Sequence, residues 1–323
     1  MTRGPIHRFL RRLGRRVYSI GIYAGSSPLA LSAPAGARNP VLTHHSVTDA
    51  HAFFVADPFM IRVDGTWHMF FEAMIWRNRG RVGVISHASS RDGLDWRYER
   101  IVLSEPFHLS YPYVFEWNSE YYMVPETRQA GAARLYRADP FPHRWTYVTD
   151  LLKGPVLLDT SLFRRDGRWW LYTDTSPGLN HDTLSLFHAQ EFKGPWIEHP
   201  RNPIVSGDRR SARPAGRIIS TPDALIRFAQ DCHPDYGRSV RAFEVGRLGD
   251  REYDERAYAG NPVLAAGHER WNRGGMHHVD AQQLPDGTWR AAVDGWHRTI
   301  VRPREVALFA LGRFEEHDDA QRE

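Results

Sequence analysis

DTSLFRRDGRWWLYTD, residues 159–174, consists of two apolar runs on either side of an Asp-Gly pair. Alternating aliphatic and aromatic residues around such a pair are typical of a β-hairpin with a tight turn. Four further stretches follow the same plan of a run, a polar turn and a second run. They are DPFMIRVDGTWHMFFE (57–72), YPYVFEWNSEYYMVPE (111–126), AGRIISTPDALIRFAQ (215–230) and HVDAQQLPDGTWRAAVD (278–294).

A third and a fourth strand are predicted after these hairpins. The third recurs as RVGVISHAS, AARLYRAD, DTLSLFHA, SVRAFEVG and EVALFALG, and four of the fourth segments open on Trp96, Trp145, Trp196 or Tyr253. Five such units, roughly fifty residues apart, predict an all-β fold: a five-bladed β-propeller with four-stranded antiparallel blades. Little chain follows the fifth unit, and ARNPVLT near the N-terminus resembles the outer-strand pieces PRNPIVS and AGNPVLA. We therefore predict that the N-terminal segment closes the ring.

The basic character of the chain is concentrated in its N-terminal segment. The net charge is +4, and residues 1–48 contain seven Arg and no Asp or Glu. In IHRFLRRLGRRVYSI the apolar residues recur at helical spacing, with the arginines mostly opposite, which predicts an amphipathic helix. This segment either lies on an anionic membrane surface or is a docking helix or disordered tail. Nucleic-acid binding is not expected, because the basic residues do not continue over the body.

The domain prediction is a basic segment at 1–17, a single propeller domain at 18–315 and a charged tail at 316–323. The N-terminal segment is too polar to span a bilayer and lacks the apolar stretch of a signal peptide. The single cysteine, Cys232, cannot form an internal disulfide and gives no reason to expect an oxidising compartment. We therefore expect a cytoplasmic protein, with peripheral contact at the inner membrane face if the basic segment binds lipid.

Propeller geometry brings the ends of the five hairpins to one face of the ring. The first strands line the central channel, and they start at Asp57, Tyr111, Asp159, Ala215 and His278/Val279. The second strands end in a surrounding ring of Glu72, Glu126, Asp174, Gln230 and Asp294. Clustered carboxylates suit acid and base chemistry at a glycosidic bond. For the ring carboxylates the alternative is a structural hydrogen bond to the next blade.

Cationic and aromatic groups are predicted at the same face. The fourth and fifth units contribute Arg213, Arg227, Gln230, Asp231, Tyr236, His277 and His278. Arginine can bind a phosphate with two hydrogen bonds, and an ion pair with a ring carboxylate is its alternative role. The histidines and Asp280 lack a recognised metal-ligand spacing. We predict neither a metal nor a cofactor.

ADPFM, LDTSLFRRDGRWWLYTD and the five-unit layout resemble the arabinanase, levansucrase and invertase type of propeller, which includes glycoside hydrolase family 43. The resemblance implies that Asp57 is a base or nucleophile and that Asp159 tunes a pKa or stabilises the transition state. In family 43 the acid is a Glu that opens the fourth blade. Here that place reads ARPAG, with Arg213 and no Glu, so simple hydrolysis is not the leading expectation.

Longer strings resemble the N-terminal domain family of glucosamine inositolphosphorylceramide transferase over most of residues 50–300. They are HLSYPYVFEWNSEYYMVPET, ARLYRADPFPHRW, GPWIEHPRNPIVSGDRRSARPAGR and RFAQDCHPDYGRSV. In the plant members of that family, glycosyl transfer is attributed to a separate C-terminal domain. The resemblance implies a part in cell-surface glycan or glycolipid assembly.

Three functions stay open. The first is a glycosyltransferase with a phosphate-bearing donor, an anionic or nucleotide-linked sugar, in which Asp57 deprotonates the acceptor and Asp159 stabilises positive charge. Arg213 and Arg227 would then hold the leaving phosphate. The second is a family 43-like glycoside hydrolase whose acid comes from elsewhere, for example Glu72 or Glu126. The third is a non-catalytic glycan-binding or scaffold propeller.

Overall fold

Five antiparallel sheets form the blades of a propeller ring in the computed structural model, which describes residues 14–77 and 80–300. The predicted all-β, five-bladed architecture is confirmed. In chain order the strands are β1 (Gly14–Ser27), β2 (Ala30–Ser32), β3 (Ala52–Val63), β4 (Thr66–Arg77), β5 (Gly80–Ser90), β6 (Arg97–Leu103), β7 (Ser110–Trp117), β8 (Glu120–Glu126), β9 (Ala132–Ala138), β10 (Trp145–Lys153), β11 (Leu158–Arg165), β12 (Arg168–Asp174), β13 (Thr183–Ala189), β14 (Ile197–Glu198), β15 (Val205–Ser206), β16 (Ile219–Ser220), β17 (Leu225–Asp231), β18 (Ser239–Leu248), β19 (Tyr253–Ala257), β20 (Val279–Gln283) and β21 (Trp289–Ile300).

The strands are arranged in each blade from the channel outward. Blade 1 is β3-β4-β5-β6, blade 2 is β7-β8-β9-β10, and blade 3 is β11-β12-β13 with the short β14 and β15 both paired to β13. Blade 4 is β16-β17-β18-β19, and blade 5 is β20-β21-β1-β2. Single 3-10 turns occur at His44–Ser46, Arg128–Ala130 and Pro177–Leu179. No helix of the described residues is both long and apolar enough to cross a membrane.

The hairpins of blades 1 to 3 turn on residue pairs with positive φ. These pairs have φ values of 48° to 80° and are Asp64–Gly65, Asn118–Ser119 and Asp166–Gly167. Positive φ at both central residues characterises the type I′ turn, whose twist matches that of the flanking strands. The turns therefore fix the register of the hairpins that carry the predicted site residues.

The inner strands of blades 1 to 3 are irregular at equivalent positions. Asp57, Tyr111 and Asp159 have φ values of 52°, 46° and 49°, and the pairing register of each strand shifts at that point. Positive φ is strained for a residue with a side chain and persists where the surrounding structure imposes it. Such an irregularity redirects a side chain. The fold thus presents three side chains at equivalent places of the channel.

The N-terminal segment closes the ring, as predicted. β1 pairs with β21 over its length, from Gly14 opposite Ile300 to Gly25 opposite Trp289. The Asn39 side chain in ARNPVLT accepts from the backbone N–H of Ile22 at 2.7 Å and donates to its carbonyl at 2.9 Å. The corresponding Asn residues of blades 3 and 4 make the same two bonds to the third strand of their own blade: Asn202 to Leu186 and Asn261 to Ala242.

The predictions for the chain ends are only partly within the described residues. The predicted helix is wrong for residues 14–17, which belong to β1, because the ring requires a third strand beside β21. Residues 1–13 lie outside the described residues, as does the tail at 316–323. EVALFALG (305–312) also lies outside them, and the third strand that was expected from it is supplied by β1.

Aromatic side chains fill the spaces between blades. At the interface of blades 2 and 3, the ring centroids of Tyr122 and Phe192 are 4.8 Å apart, and Phe192 and Trp169 are 5.7 Å apart. Trp145 and Tyr253 begin the outer strands β10 and β19, as the repeat predicts. Large aromatic residues contribute much of the burial energy of a core, so the aromatic composition serves the packing of the ring.

Candidate active site

Asp57 lies at the channel mouth and is 7% exposed. Its backbone N–H donates to Oδ2 of Asp294 at 3.0 Å. Its Oδ1 lies 3.8 Å from Nε2 of His277 and 3.8 Å from Nδ1 of His278. Burial raises the pKa of Asp57 to about 7, against the attraction of His277. Asp57 therefore gains and loses its proton near neutral pH, which suits a general base.

His277 lies between two carboxylates. Its Nδ1 donates to Oδ1 of Asp294 at 2.7 Å, while its Nε2 faces Asp57. Burial alone would lower the pKa of His277, but Asp294 and Asp57 raise it above the ordinary value. Burial would raise the pKa of Asp294, but His277 lowers it. Tyr18 of β1 stacks on the imidazole with ring centroids 4.7 Å apart. The N-terminal strand therefore packs against this ion pair.

His278 and Tyr111 are buried beside Asp57. Nε2 of His278 donates to the Pro58 carbonyl at 3.0 Å, and burial lowers the pKa of His278 to about 4. Its Nδ1 is then an unprotonated acceptor facing Asp57. The hydroxyl of Tyr111 accepts from the backbone N–H of Gly216 at 2.7 Å, and the residue is fully buried. Tyr111 therefore fills the channel and holds the fourth blade in place.

Asp159 is paired with Arg213 across a blade boundary. Nε of Arg213 donates to Oδ2 at 2.6 Å and Nη2 to Oδ1 at 3.2 Å. Gln230 adds a third hydrogen bond to Oδ2 at 2.8 Å. A planar guanidinium bound to both oxygens of a carboxylate is a strong and directional contact. The sequence predicted all three residues for one site, and the structure brings them together.

Glu126 lies on the other side of Arg213. Its Oε2 is 3.4 Å from Nη2 of Arg213, and only 9% of the residue is exposed. Burial raises the pKa of Glu126 to about 8, and Asp159 adds to the increase while Arg213 opposes it. The carboxyl is therefore largely protonated at neutral pH, which suits a general acid.

Glu72 is a second carboxyl held in its neutral form. Burial raises its pKa well above the ordinary value, and Asp57 adds to the increase. Nε2 of His108 lies 3.5 Å from Oε1 of Glu72. Burial lowers the pKa of His108 to about 4, and its Nδ1 accepts from the backbone N–H of Gly83 at 3.0 Å. The remaining proton of the imidazole is thus on Nε2, facing Glu72.

Asp174 is fully buried within blade 3. Its Oδ1 accepts from the backbone N–H of Ser176 at 2.8 Å, and its Oδ2 is 3.4 Å from Nδ1 of His181. Nη1 of Arg213 donates to that same Nδ1 at 3.0 Å. Burial and Arg213 lower the pKa of His181. Asp174 is thus bonded within its own blade and contacts the site through His181.

Tyr236 covers Arg213 from the loop after β17. The guanidinium carbon of Arg213 lies 5.1 Å from the centroid of the Tyr236 ring, and the ring meets His277 edge-on at 5.6 Å. Asp231 is the last residue of β17, and its Oδ1 accepts from the backbone N–H of His233 in this loop at 3.0 Å. Asp231 therefore shapes the loop, while Tyr236 lies over the site.

Arg227 does not reach the site, and its predicted role in binding a phosphate is wrong. Its Nε donates to Oε2 of Glu255 at 2.9 Å, Nη2 donates to the other oxygen, and Nη1 donates to the Ser211 carbonyl at 2.7 Å. The guanidinium carbon lies 4.6 Å from the centroid of the Phe243 ring. The side chain is fully buried, so its charge stabilises blade 4.

Asp57, His277 and Asp294 are the residues in the described part of the chain that could surround a metal ion, since their ligand atoms lie within 4.8 Å of one another. Asp294 is already engaged in hydrogen bonds within this group. Nδ1 of His277 donates its proton to Asp294, which also accepts from the backbone N–H of Asp57. These hydrogen bonds account for the cluster, and we assign no metal to it.

A family model described as glucosamine inositolphosphorylceramide transferase 1, N-terminal, matches residues 14–296. The chain belongs to this family. It is 38% identical over 303 residues to glucosamine inositolphosphorylceramide transferase 1 of Oryza sativa subsp. japonica, covering 87% of this chain and 40% of the relative. With the Arabidopsis thaliana protein of the same name it shares 34% identity over 313 residues, covering 88% and 40%. It therefore spans about two fifths of the length of these curated relatives.

Solved structures with the same fold include carbohydrate-active enzymes. β-1,2-Mannobiose phosphorylase from Listeria innocua superimposes with a TM-score of 0.60 at 13% identity, covering 84% of this chain and 96% of that one. A thermostable family-43 glycoside hydrolase gives 0.54 at 16% identity, covering 77% and 90%. At this level of identity the likeness establishes the propeller fold, which the sequence resemblance predicted.

Sequence reasoning missed three residues that contact the site. They are Tyr18 on β1, His108 in the loop before β7, and His181 in the loop after β12. The two histidines flank strand ends that were predicted to reach the site face, so their positions were a usable signal. Tyr18 had no such signal, because the segment around it was interpreted as a helix up to residue 17.

Proposed function

We propose that this chain is a carbohydrate-active enzyme of glycolipid synthesis that transfers a glycosyl unit from a phosphate-bearing donor, with Asp57 as the base. The observation that carries the proposal is a buried inner-strand carboxyl, Asp57, whose pKa is raised to about 7 beside His277 and His278. The family and the names of its relatives support glycolipid synthesis.

In the proposed reaction Asp57 takes the proton of an acceptor hydroxyl as that oxygen bonds to the anomeric carbon of the donor. The bond from the anomeric carbon to the donor phosphate breaks, and the phosphate leaves with the electron pair. Such a leaving group needs positive charge rather than a proton. The proposed reaction therefore needs no acid at position 213, where the resemblance to family 43 implies a Glu and this chain has Arg213.

Asp159 would stabilise the positive charge that develops on the sugar ring. Arg213 donates to both carboxylate oxygens of Asp159, and Gln230 donates a third hydrogen bond. The carboxylate is therefore fixed before the substrate arrives. Fixed charge that needs no reorganisation during the reaction is an effective form of transition-state stabilisation.

The test is a transfer assay with purified protein, a panel of nucleotide sugars and an inositol phospholipid acceptor. Asp57→Asn keeps the shape of the side chain, and Asn tolerates positive φ. We expect transfer to fall by roughly a hundredfold or more, because the base is lost. Asp166→Asn is a matched control, since Asp166 also has positive φ but lies in an exposed turn. Full activity of the Asp57 variant would refute the assignment.

A second candidate, hydrolysis, is favoured by one specific observation. The pKa of Glu126 is raised to about 8, so a protonated acid is present even without a glutamate at position 213. Release of free sugar with water as the acceptor, and its loss in Glu126→Gln, would support a hydrolase. Glycan binding without turnover of any donor would instead support a scaffold propeller and overturn both enzyme proposals.

A further inference from the structure

Two imidazole nitrogens face the same carboxylate oxygen of Asp57. Nε2 of His277 and Nδ1 of His278 each lie 3.8 Å from Oδ1 of Asp57. This distance exceeds the limit of about 3.2 Å for a hydrogen bond with a nitrogen donor, so neither nitrogen bonds to that oxygen directly. An oxygen atom of a ligand can lie within hydrogen-bond distance of Oδ1 and of a facing nitrogen at the same time. We call Asp57, His277 and His278 the oxygen cradle.

Nδ1 of His278 is a buried acceptor that has no hydrogen-bond partner among the residues the structure describes. The residue is fully buried, and Nε2 of the same ring donates to the Pro58 carbonyl at 3.0 Å, so the orientation of the imidazole is fixed. Buried polar atoms in native proteins are nearly always paired, and an unpaired one calls for a specific explanation such as a catalytic role. The position of this acceptor beside Asp57 points to a role in proton transfer.

The backbone before His277 is held firmly against blade 5. Gly274 donates its N–H to the Trp296 carbonyl at 2.8 Å, and the carbonyl of Gly275 accepts from the N–H of Trp296 at 3.0 Å. A Cβ at Gly274 would come within 2.3 Å of the indole ring, so only glycine permits this approach. Asp294 of the same strand then accepts from Nδ1 of His277 at 2.7 Å. The imidazole is therefore in place before any substrate binds.

The oxygen cradle combines one donor with two acceptors. Burial alone would lower the pKa of His277, but Asp294 and Asp57 raise it. The cation is thus favoured, and its Nε2 carries a second N–H. Ionised Asp57 and Nδ1 of His278 only accept. A phosphate or carbonyl oxygen also only accepts and is disfavoured beside two acceptors, whereas a hydroxyl accepts from His277 and donates to Asp57. The cradle therefore selects a hydroxyl group.

We propose that the oxygen cradle binds the attacking hydroxyl of the acceptor, with His277 as a further catalytic residue and His278 as a positioning residue. The proposal rests on the proposed function, in which Asp57 is the base. Nε2 of His277 donates to the hydroxyl oxygen while the O–H bond breaks and the proton passes to Asp57. The oxygen bonds to the anomeric carbon, and the phosphate leaves with the electron pair. Nδ1 of His278 then accepts a hydrogen bond from the proton on Asp57.

Two variants of His277 separate contact with the substrate from support of Asp294. Asn places an amide N–H near the position of Nδ1 and keeps the bond to Asp294, but it ends short of Asp57. Gln reaches the position of Nε2 and loses the bond to Asp294. We expect kcat in the transfer assay to fall by about tenfold or more in His277→Asn, because a hydrogen bond from a charged group is lost, and to fall less in His277→Gln.

A merely structural role of His277 predicts the opposite order, with the Asn variant more active than the Gln variant. The KM for the donor should change little in either variant, because the lost contact is to the acceptor oxygen. His268→Asn is the control, since His268 is an exposed histidine, and it should match the wild type. Thermal unfolding of each variant checks that the fold is intact.

Nitrogen-15 NMR of the histidine side chains tests His278 without turnover. At pH 8 the wild-type Asp57 is mostly ionised, since its pKa is about 7, and it offers no proton to Nδ1. The amide of Asp57→Asn does offer one. The Nδ1 resonance, identified by its loss in His278→Gln, should therefore move upfield in Asp57→Asn at this pH, and an unchanged resonance would refute the role of His278. The other titratable groups around Asp57 are the same in both proteins: Glu72, Asp159, Arg213, Tyr236, His277 and Asp294.

The outcomes separate the oxygen cradle from the proposed function. Loss of transfer in Asp57→Asn with wild-type kcat in His277→Asn would refute the cradle alone. Full transfer in Asp57→Asn with a loss in His277→Asn would refute the base alone. Release of free sugar with the expected order of the His277 variants would support the cradle, with water as the bound oxygen, and refute transfer. Absence of any turnover by the wild type would overturn both the base and the catalytic role of His277.

Discussion

Replacement of Asp57 by Asn should make the protein more stable relative to the wild type as the pH rises. The folded pKa of Asp57 is about 7, against an ordinary value of 3.8. At a pH between these values the folded state keeps a proton that the unfolded chain has released. Stability from this group is complete below pH 3.8 and is lost as the pH rises through 7. The Asn variant has no such group to lose.

The size of the effect follows from the two pKa values. By linkage, the wild type loses roughly 2 kcal/mol from this group by pH 5 and roughly 4 kcal/mol by pH 8. The stability of Asp57→Asn relative to the wild type should therefore increase by roughly 2 to 3 kcal/mol between these two pH values. The lost attraction between Asp57 and His277, 3.8 Å apart, lowers the stability of the variant but cancels in the comparison while His277 keeps its charge.

Urea unfolding of both proteins at pH 5 and pH 8 measures this difference directly. Asp166→Asn provides the control, because that carboxyl has the same backbone conformation, with φ 51°, but a side chain 87% exposed. Its pH dependence should follow that of the wild type. If the Asp57 variant and the control show the same pH dependence, Asp57 is not a carboxyl with a raised pKa, and the argument for it as the base fails.

Three further predictions concern stability. Asn39→Ala removes two hydrogen bonds to the third strand of blade 5 and should lower the free energy of urea unfolding by about 2 to 4 kcal/mol. A decrease no larger than that of an exposed Asn→Ala change would contradict the role of Asn39 in closing the ring. Arg227→Met leaves the Glu255 carboxylate, 12% exposed, without its cation and should cost about 3 to 5 kcal/mol, whereas Arg256→Met, on β19 with its side chain 82% exposed, should change little. Burial lowers the pKa of His87 to about 3 from 6.5, so the wild type loses stability as the pH falls below 6.5. Between pH 7 and pH 4.5 the free energy of unfolding of His87→Phe relative to the wild type should therefore rise by roughly 2 to 3 kcal/mol. An unchanged difference between the two proteins would refute the lowered pKa of His87.

The ring could be predicted from sequence because its information is repeated. Five hairpins with the same plan of a run, a polar turn and a second run each predict one blade, and the agreement among them outweighs an error in any one. Residues 14–17 show the limit of local pattern. Their spacing indicates a helix, but β21 needs a partner strand and β1 provides it over twelve paired positions. Tertiary pairing overrides local periodicity in such a case.

Strand alternation could have excluded Arg227 from the site. Arg227 and Gln230 lie three residues apart on β17, and residues an odd number apart point to opposite faces of a strand. Since Gln230 bonds to Asp159, Arg227 must lie on the opposite face of blade 4, where it contacts Glu255 of β19. No sequence pattern predicted the pairing of Arg213 with Asp159, because the two residues are 54 positions apart and belong to different repeats.

The arginine at position 213 influences the protonation of the carboxyl groups around it. A second acid beside Asp159 would have to stay neutral to avoid repulsion, whereas Arg213 neutralises Asp159 and leaves Glu126 as the neighbour that holds a proton. Asp57 is farther from that cation and balances His277 instead. One side of the channel thus pairs a fixed anion with a fixed cation, and the other side keeps a carboxyl that titrates near neutral pH. This division suits the proposed transfer, in which Asp57 takes a proton and the phosphate leaves without one.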